Sequence, residues 1–149
     1  MRGWRLLALL WVVTLASIAQ ARQLAIITDT ANTTSELSAS DLAKILNVRT
    51  RSWPDGKPIK IVLRDPSSAD MQVVARKLFN MSGDQARAFV RAHSDLMVVA
   101  DSDDAVIRYV SSTRGAIGIV DLYSLTKGVN VVKIDGKLPV EQGYLLKGN

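Results

Sequence analysis

The chain has 149 residues, of which 48% are apolar, and its formal net charge is +5. This length suits one domain with a buried core and is short for two. The sequence contains no cysteine and a single histidine, so it excludes disulfides and Cys-based metal sites, and it predicts neither a metal nor a cofactor.

The N-terminal residues have the pattern of an export signal. Two arginines precede an apolar run over residues 6–18, and residues 19–21 (AQA) supply the small side chains at which a signal peptidase cleaves. The apolar run is short for a membrane span. We therefore predict cleavage after Ala21, a mature domain over residues 22–149 and a periplasmic location. An uncleaved membrane anchor is the alternative.

The charge of the mature domain narrows the function classes. Loss of Arg2 and Arg5 lowers the formal charge from +5 to +3. So mild an excess, without a run of Lys or Arg or interleaved aromatic residues, argues against binding to nucleic acid. A single histidine and no cysteine cannot supply a nucleophile, a base and an orienting group, so we do not predict an enzyme.

Strand-like and helix-like segments alternate after the signal. A short apolar strand is predicted over residues 24–27, and a polar loop is predicted after it. A helix is predicted to begin at Ser38, with Asp41 as its capping-box partner. Residues 53–56 (WPDG) predict a turn whose Trp is a packing anchor, and an apolar strand follows over residues 59–63.

The second half of the chain continues the alternation. In chain order we predict a helix from residue 68, a helix capped by residues 82 and 85, and a strand over residues 96–100. A helix led by the acidic cluster within residues 101–104 follows, and then a strand over residues 116–120. The last predicted strand covers residues 131–134 and turns at residues 135–136 toward residues 138–140. The acidic cluster is interpreted as helix capping, because the Asp-x-Asp-x-Asp-Gly calcium loop is missing. The pattern predicts an α/β fold with a mixed sheet flanked by helices.

The candidate functional site is the junction after the strand that follows the WPDG turn. Arg64 ends that strand, Ser67 and Ser68 lead into the next helix, and Ala69 and Asp70 supply its first backbone N–H groups. A cation, two hydroxyls and a helix N-terminus form a cradle suited to an oxyanion. The alternative needs no ligand, because Ser67 and Asp70 also fit a capping box and Arg64 also fits a solvated surface residue.

Three segments resemble the periplasmic phosphate-binding proteins of ABC transporters. Residues 37–46 (LSASDLAKIL) and 53–59 (WPDGKPI) are similar to the family pattern L-S-x-x-[DE]-L-x-x-I-F-x-G-x-x-x-x-W-x-D-G-x-x-I, and residues 115–120 (GAIGIV) are similar to its G-A-I-G-Y-V strand. The resemblance implies a type II periplasmic-binding-protein-like fold. It covers residues 24–121, which correspond to a single lobe.

The resemblance also implies a ligand site. In that family an Arg ends the strand and an R-x-x-x-S-G-T segment begins the following helix, so Arg64 and Ser68 match, whereas Ala69 and Asp70 stand in place of Gly and Thr. The implied ligand is phosphate or a similar oxyanion, bound by these four residues together with Ser67. A carboxylate at Asp70 accepts a hydrogen bond from a protonated phosphate, which disfavours sulfate.

The resemblance further implies partners. A single lobe leaves the anion open to water, so we expect dissociation constants nearer millimolar than micromolar. The implied partner is a membrane transporter, a sensor or a second lobe-like chain that completes the site. The alternative is an exported interaction or accessory protein that keeps the fold without binding a ligand.

Overall fold

The computed structural model describes residues 22–147, so the predicted export signal lies outside the described residues. In chain order the elements are β1 (Leu24–Asp29), β2 (Glu36–Leu37), α1 (Ala39–Leu46), β3 (Lys60–Leu63), α2 (Ala69–Val74) with a π-helical continuation (Ala75–Phe79), α3 (Gly83–Ala92), β4 (Met97–Val99), α4 (Asp103–Ser112), β5 (Ala116–Asp121) with a 3-10 turn (Leu122–Ser124), and β6 (Val129–Ile134). Over residues 22–147, every helix is too short or too polar to traverse a bilayer.

The strands form one mixed sheet in the order β2-β6-β1-β5-β3-β4. β3 runs parallel to β4 and β5, β2 runs parallel to β6, and β1 runs antiparallel to β5 and β6. The carboxyl ends of β3, β4 and β5 therefore meet the start of β1. This edge, which we call the upper edge, carries Leu63 beside Val99 and Leu24 beside Asp121.

Helices cover both faces of the sheet, and the strands alternate their side chains between them. Ile26, Ile61 and Ile119 belong to the core cluster that includes the apolar residues of α1, α2 and α3. Ile27 and Val62 belong to a second cluster under α4. The α/β fold with a mixed sheet and flanking helices, predicted from the alternation of segments, is confirmed.

The helix starts predicted at residues 38 and 82 are confirmed. The Ser38 hydroxyl accepts a hydrogen bond from the Asp41 backbone N–H, and both halves of the capping box form between Ser82 and Gln85. Trp53 is the predicted packing anchor: it is 5% exposed, and its indole N–H donates to the Gly115 carbonyl oxygen at 2.9 Å.

Two predictions for the edge of the sheet are wrong. The segment before α1, predicted as loop, contains the two-residue strand β2, which pairs with β6. The turn at Asp135 and Gly136 forms, but only Lys137 pairs back with Ile134. No strand continues over residues 138–140, because Pro139 has no backbone N–H to donate to a ladder.

Candidate functional site

The junction of β3 and α2 lies at the upper edge and opens into a cavity of about 220 Å³. Carboxyl ends of parallel strands are the usual place for ligands in open α/β sheets. The lining contains four of the five predicted site residues, which are Arg64, Ser68, Ala69 and Asp70. The structure therefore brings these four residues together around one space.

An ion pair holds Arg64 at the cavity. Its Nη1 lies 3.2 Å from Oδ1 of Asp103, the first residue of α4, and the two side chains are 36% and 18% exposed. The other oxygen of Asp103 accepts hydrogen bonds from the Asp121 backbone N–H at 3.1 Å and the Ser124 hydroxyl at 2.8 Å. Asp103 thus ties the ends of β3, α4 and β5 together and fixes the guanidinium. Within residues 22–147, the remaining N–H groups of Arg64 have no protein acceptor.

Ser67 lies in the loop between β3 and α2, outside the lining of the cavity. Its backbone N–H and its hydroxyl both donate to Oδ1 of Asp65, at 2.9 and 2.8 Å. Arg87 of α3 donates to both oxygens of Asp65 and contacts the Ser67 hydroxyl. The hydrogen bond from the Ser67 backbone, followed by those from the Ser67 hydroxyl and Arg87, holds the pKa of Asp65 below its usual value. These contacts fix the shape of the loop.

The cap of α2 is one residue later than the capping box predicted. The hydroxyl of Ser68 accepts from the Met71 backbone N–H at 3.4 Å, so Ser68 is the N-cap. The predicted box of Ser67 with Asp70 is wrong, because the Ser67 hydroxyl is engaged by the preceding turn. The first two N–H groups of α2 have no partner within the helix and lie beside the cavity.

A second ion pair occupies the cavity. Nη1 of Arg22 lies 2.6 Å from Oδ2 of Asp70, and the two side chains are 64% and 29% exposed. The charged residues in the lining are Arg22, Arg64, Asp70, Asp103 and Asp121. Each guanidinium is therefore matched by a carboxylate.

Sequence reasoning missed three charged residues of this cavity, Arg22, Asp103 and Asp121. Asp103 was predicted only as part of an acidic cap, and it is 39 residues from Arg64 in the chain. Arg22 is 48 residues from Asp70. No local spacing connects partners so far apart. Among the described residues, no group of three or more His, Asp or Glu is arranged to hold a metal ion.

Comparisons with known proteins agree on the fold. A family model described as a PBP superfamily domain matches residues 18–145. PstS from Borrelia burgdorferi superposes with a TM-score of 0.73 at 25% identity, covering 87% of this chain and 56% of that one. An ABC-type phosphate transport receptor from Vibrio cholerae superposes with a TM-score of 0.64 at 18% identity, covering 87% and 55%.

A phosphate-binding protein from Stenotrophomonas maltophilia superposes with a TM-score of 0.66 at 20% identity, covering 80% of this chain and 41% of that one. The chain therefore spans about half the length of the structures that it matches. No curated protein sequence matches the chain.

Proposed function

Because the chain belongs to the PBP superfamily, we propose that its mature domain binds phosphate or a similar oxyanion in the cavity at the upper edge. The observation that carries this proposal is the guanidinium of Arg64, which lines the cavity and is held there by Asp103 at 3.2 Å. A guanidinium presents two parallel N–H donors to an oxyanion. Two proteins of the same fold are named for phosphate transport or phosphate binding, which supports this choice of anion.

Each residue of the junction has a role in this proposal. Arg64 donates through the N–H groups that its carboxylate partner leaves free. Ser68 offers its hydroxyl, and Ala69 and Asp70 offer the backbone N–H groups at the start of α2. Ser67 acts indirectly, because its hydrogen bonds hold the loop that presents the others.

Asp70 selects among anions in this proposal. Its carboxylate only accepts hydrogen bonds when ionised, so a phosphate that retains a proton can donate to it and sulfate cannot. The cavity of about 220 Å³ suits a small inorganic anion. We expect the protonated form of phosphate to bind better than sulfate.

The affinity of the isolated domain is expected to be low. Arg64 is 36% exposed, so solvent and salt screen its charge. Each charge-assisted hydrogen bond contributes about 1.5–3 kcal/mol before screening, which places the dissociation constant nearer millimolar than micromolar. The proposal includes export to the periplasm through a cleaved signal. It also includes a partner that closes the site, which is a membrane transporter, a sensor or a second lobe-like chain.

One observation favours a second candidate, an exported interaction or accessory protein that does not bind a ligand. Both arginines of the cavity already pair with aspartates, at 2.6 and 3.2 Å. A site neutralised from within keeps its shape without an anion.

Titration of the mature domain with phosphate, sulfate and acetate separates the two candidates. Phosphate should give saturable chemical-shift changes around the β3–α2 junction, and Arg64→Ala should abolish them while changing the free energy of unfolding by about 1 kcal/mol or less. Asp70→Thr, which replaces an acceptor by a donor, should strengthen binding. Arg91→Ala, on an exposed face of α3, is the matched control and should bind as the unmodified domain does. If phosphate causes no shift even at tens of millimolar, the interaction protein replaces the binding protein.

A further inference from the structure

The cavity draws one of its cations from the residue that the export signal leaves at the start of the mature chain. Arg22 lines the cavity beside Arg64, and its guanidinium contacts Asp70 at 2.6 Å. With cleavage after Ala21, the same residue also carries the new α-amino group. Leader removal then adds a positive charge where a peptide nitrogen was neutral.

The backbone that follows Arg22 is held by hydrogen bonds to two different segments of the chain. The Gln23 carbonyl oxygen accepts from the Leu122 backbone N–H at 2.9 Å, and the Leu24 N–H donates to the Leu146 carbonyl oxygen at 3.0 Å. Leu24 itself lines the cavity. Two residues span at most about 7 Å, so the backbone nitrogen of Arg22 lies within about that distance of Leu24 in the cavity lining.

The charges around that nitrogen explain why one more cation matters. The other charged side chains in the cavity lining are Arg64 from β3, Asp70 from α2, Asp103 from α4 and Asp121 from β5. With the Arg22 guanidinium, these side chains sum to two positive and three negative charges. An α-ammonium offsets the excess carboxylate.

We propose that cleavage after Ala21 raises the affinity of the cavity for oxyanions, because it places the α-ammonium of Arg22 at the mouth of the site. The proposal rests on the proposed function and gives the position of the cleavage a role in binding. The unprocessed chain holds the same fold and the same Arg64, but it binds the anion more weakly.

The test compares three forms of the domain that differ only at the N-terminus. The first begins at Arg22, the second retains residues 19–21 ahead of it, and the third begins at Arg22 with an acetylated α-amine. Phosphate dissociation constants are measured by NMR titration from about pH 6.5 to 9.5, which brackets the usual α-amine pKa of about 8. The ratio of two forms at one pH cancels the ionisation of phosphate itself.

The form that begins at Arg22 should bind about threefold more tightly than the acetylated form near pH 6.5, a size typical of an exposed charge pair. The ratio should approach one near pH 9.5, where the amine is neutral. The form with residues 19–21 should resemble the acetylated form, because its amine is displaced by three residues. Arg22→Ala with a free amine should lose affinity, but the ratio of its free-amine form to its acetylated form should keep the same pH dependence.

Three results overturn the proposal, and they differ in what they leave standing. Equal affinities of the three forms at every pH overturn it while the anion-binding function stands. No response of any form to phosphate overturns both proposals. A ratio that is independent of pH also overturns it, since steric interference by added atoms does not titrate. Arg91→Gln, in the form that begins at Arg22, is the control for charge loss at a distance and should leave the ratio unchanged.

Discussion

Gly118→Ala should destabilise the fold, because α4 packs directly on the backbone of β5 at this position. A Cβ at Gly118 would lie 2.8 Å from Cγ1 of Val106, 2.8 Å from Cγ2 of Val110 and 3.3 Å from Cγ1 of Ile27. Carbon atoms pack at about 3.5–4.0 Å, so two contacts are short by roughly 1 Å. Both valines are fully buried and β-branched, so they cannot rotate away and the helix must shift.

Overpacking of this kind costs about 1–3 kcal/mol, which lowers the melting temperature of a domain of this size by about 3–12 °C. Urea and thermal unfolding of Gly118→Ala measure the loss, and Val106→Ala gives the matched cycle because it removes one of the clashing methyl groups. The double variant should be more stable than the sum of the single effects by at least about 0.5 kcal/mol. Additive effects of the two substitutions would refute the reasoning. So would a Gly118→Ala variant that is as stable as the unmodified domain.

Two further predictions concern pH. The buried hydroxyl of Tyr144 donates to the Leu24 carbonyl oxygen at 2.8 Å, and burial raises the pKa of Tyr144. The contribution of Tyr144 to the free energy of unfolding is complete below the usual tyrosine pKa of about 10 and is lost as the pH rises above it. Tyr144→Phe should therefore lower the free energy of unfolding by about 1 kcal/mol at neutral pH. It should also reduce the decrease of that free energy at alkaline pH, measured by urea unfolding. An unchanged alkaline slope contradicts this. The pKa of Asp65 is lowered, so its contribution is present above the usual aspartate pKa and lost as the pH falls through the folded value. Asp65→Asn should reduce the decrease of the free energy of unfolding at acid pH. An Asp65 pKa above the usual aspartate range, measured by NMR titration, is incompatible with these contacts.

Most of the fold could be predicted because its signals are local. Capping residues mark the starts of α1 and α3, and the alternation of apolar segments gives the layers. The periplasmic-binding-protein-like fold implied by the resemblance is confirmed by the match of a PBP superfamily domain to residues 18–145. β2 was missed because two residues carry no periodicity, and only its pairing with β6 from far along the chain makes it a strand.

Val48, which follows shortly after the end of α1, adopts a left-handed backbone conformation although it is not glycine. Val48 stands where the family pattern has Gly, yet its φ is 62°, the left-handed conformation that usually favours glycine at a helix end. The Val48 side chain is 8% exposed and belongs to the core cluster. Burial of an apolar side chain offsets the backbone strain of a β-branched residue in this conformation. A pattern of residue types alone does not reveal that compensation.

The position of the candidate site in the fold could be predicted from the sequence, but its ion pairs could not. Asp70, in the position where the family pattern has Thr, taken alone repels an anion, and Arg22 at 2.6 Å offsets that repulsion. Arg64 and Asp103 form the equivalent pair at the end of β3. An oxyanion that enters this cavity shares each guanidinium with the carboxylate already paired to it. A ligand that carries its own proton can donate it to that carboxylate, whereas a fully deprotonated anion only adds a second negative charge beside it. We therefore expect the two ion pairs to weaken anion binding and to favour protonated oxyanions over sulfate.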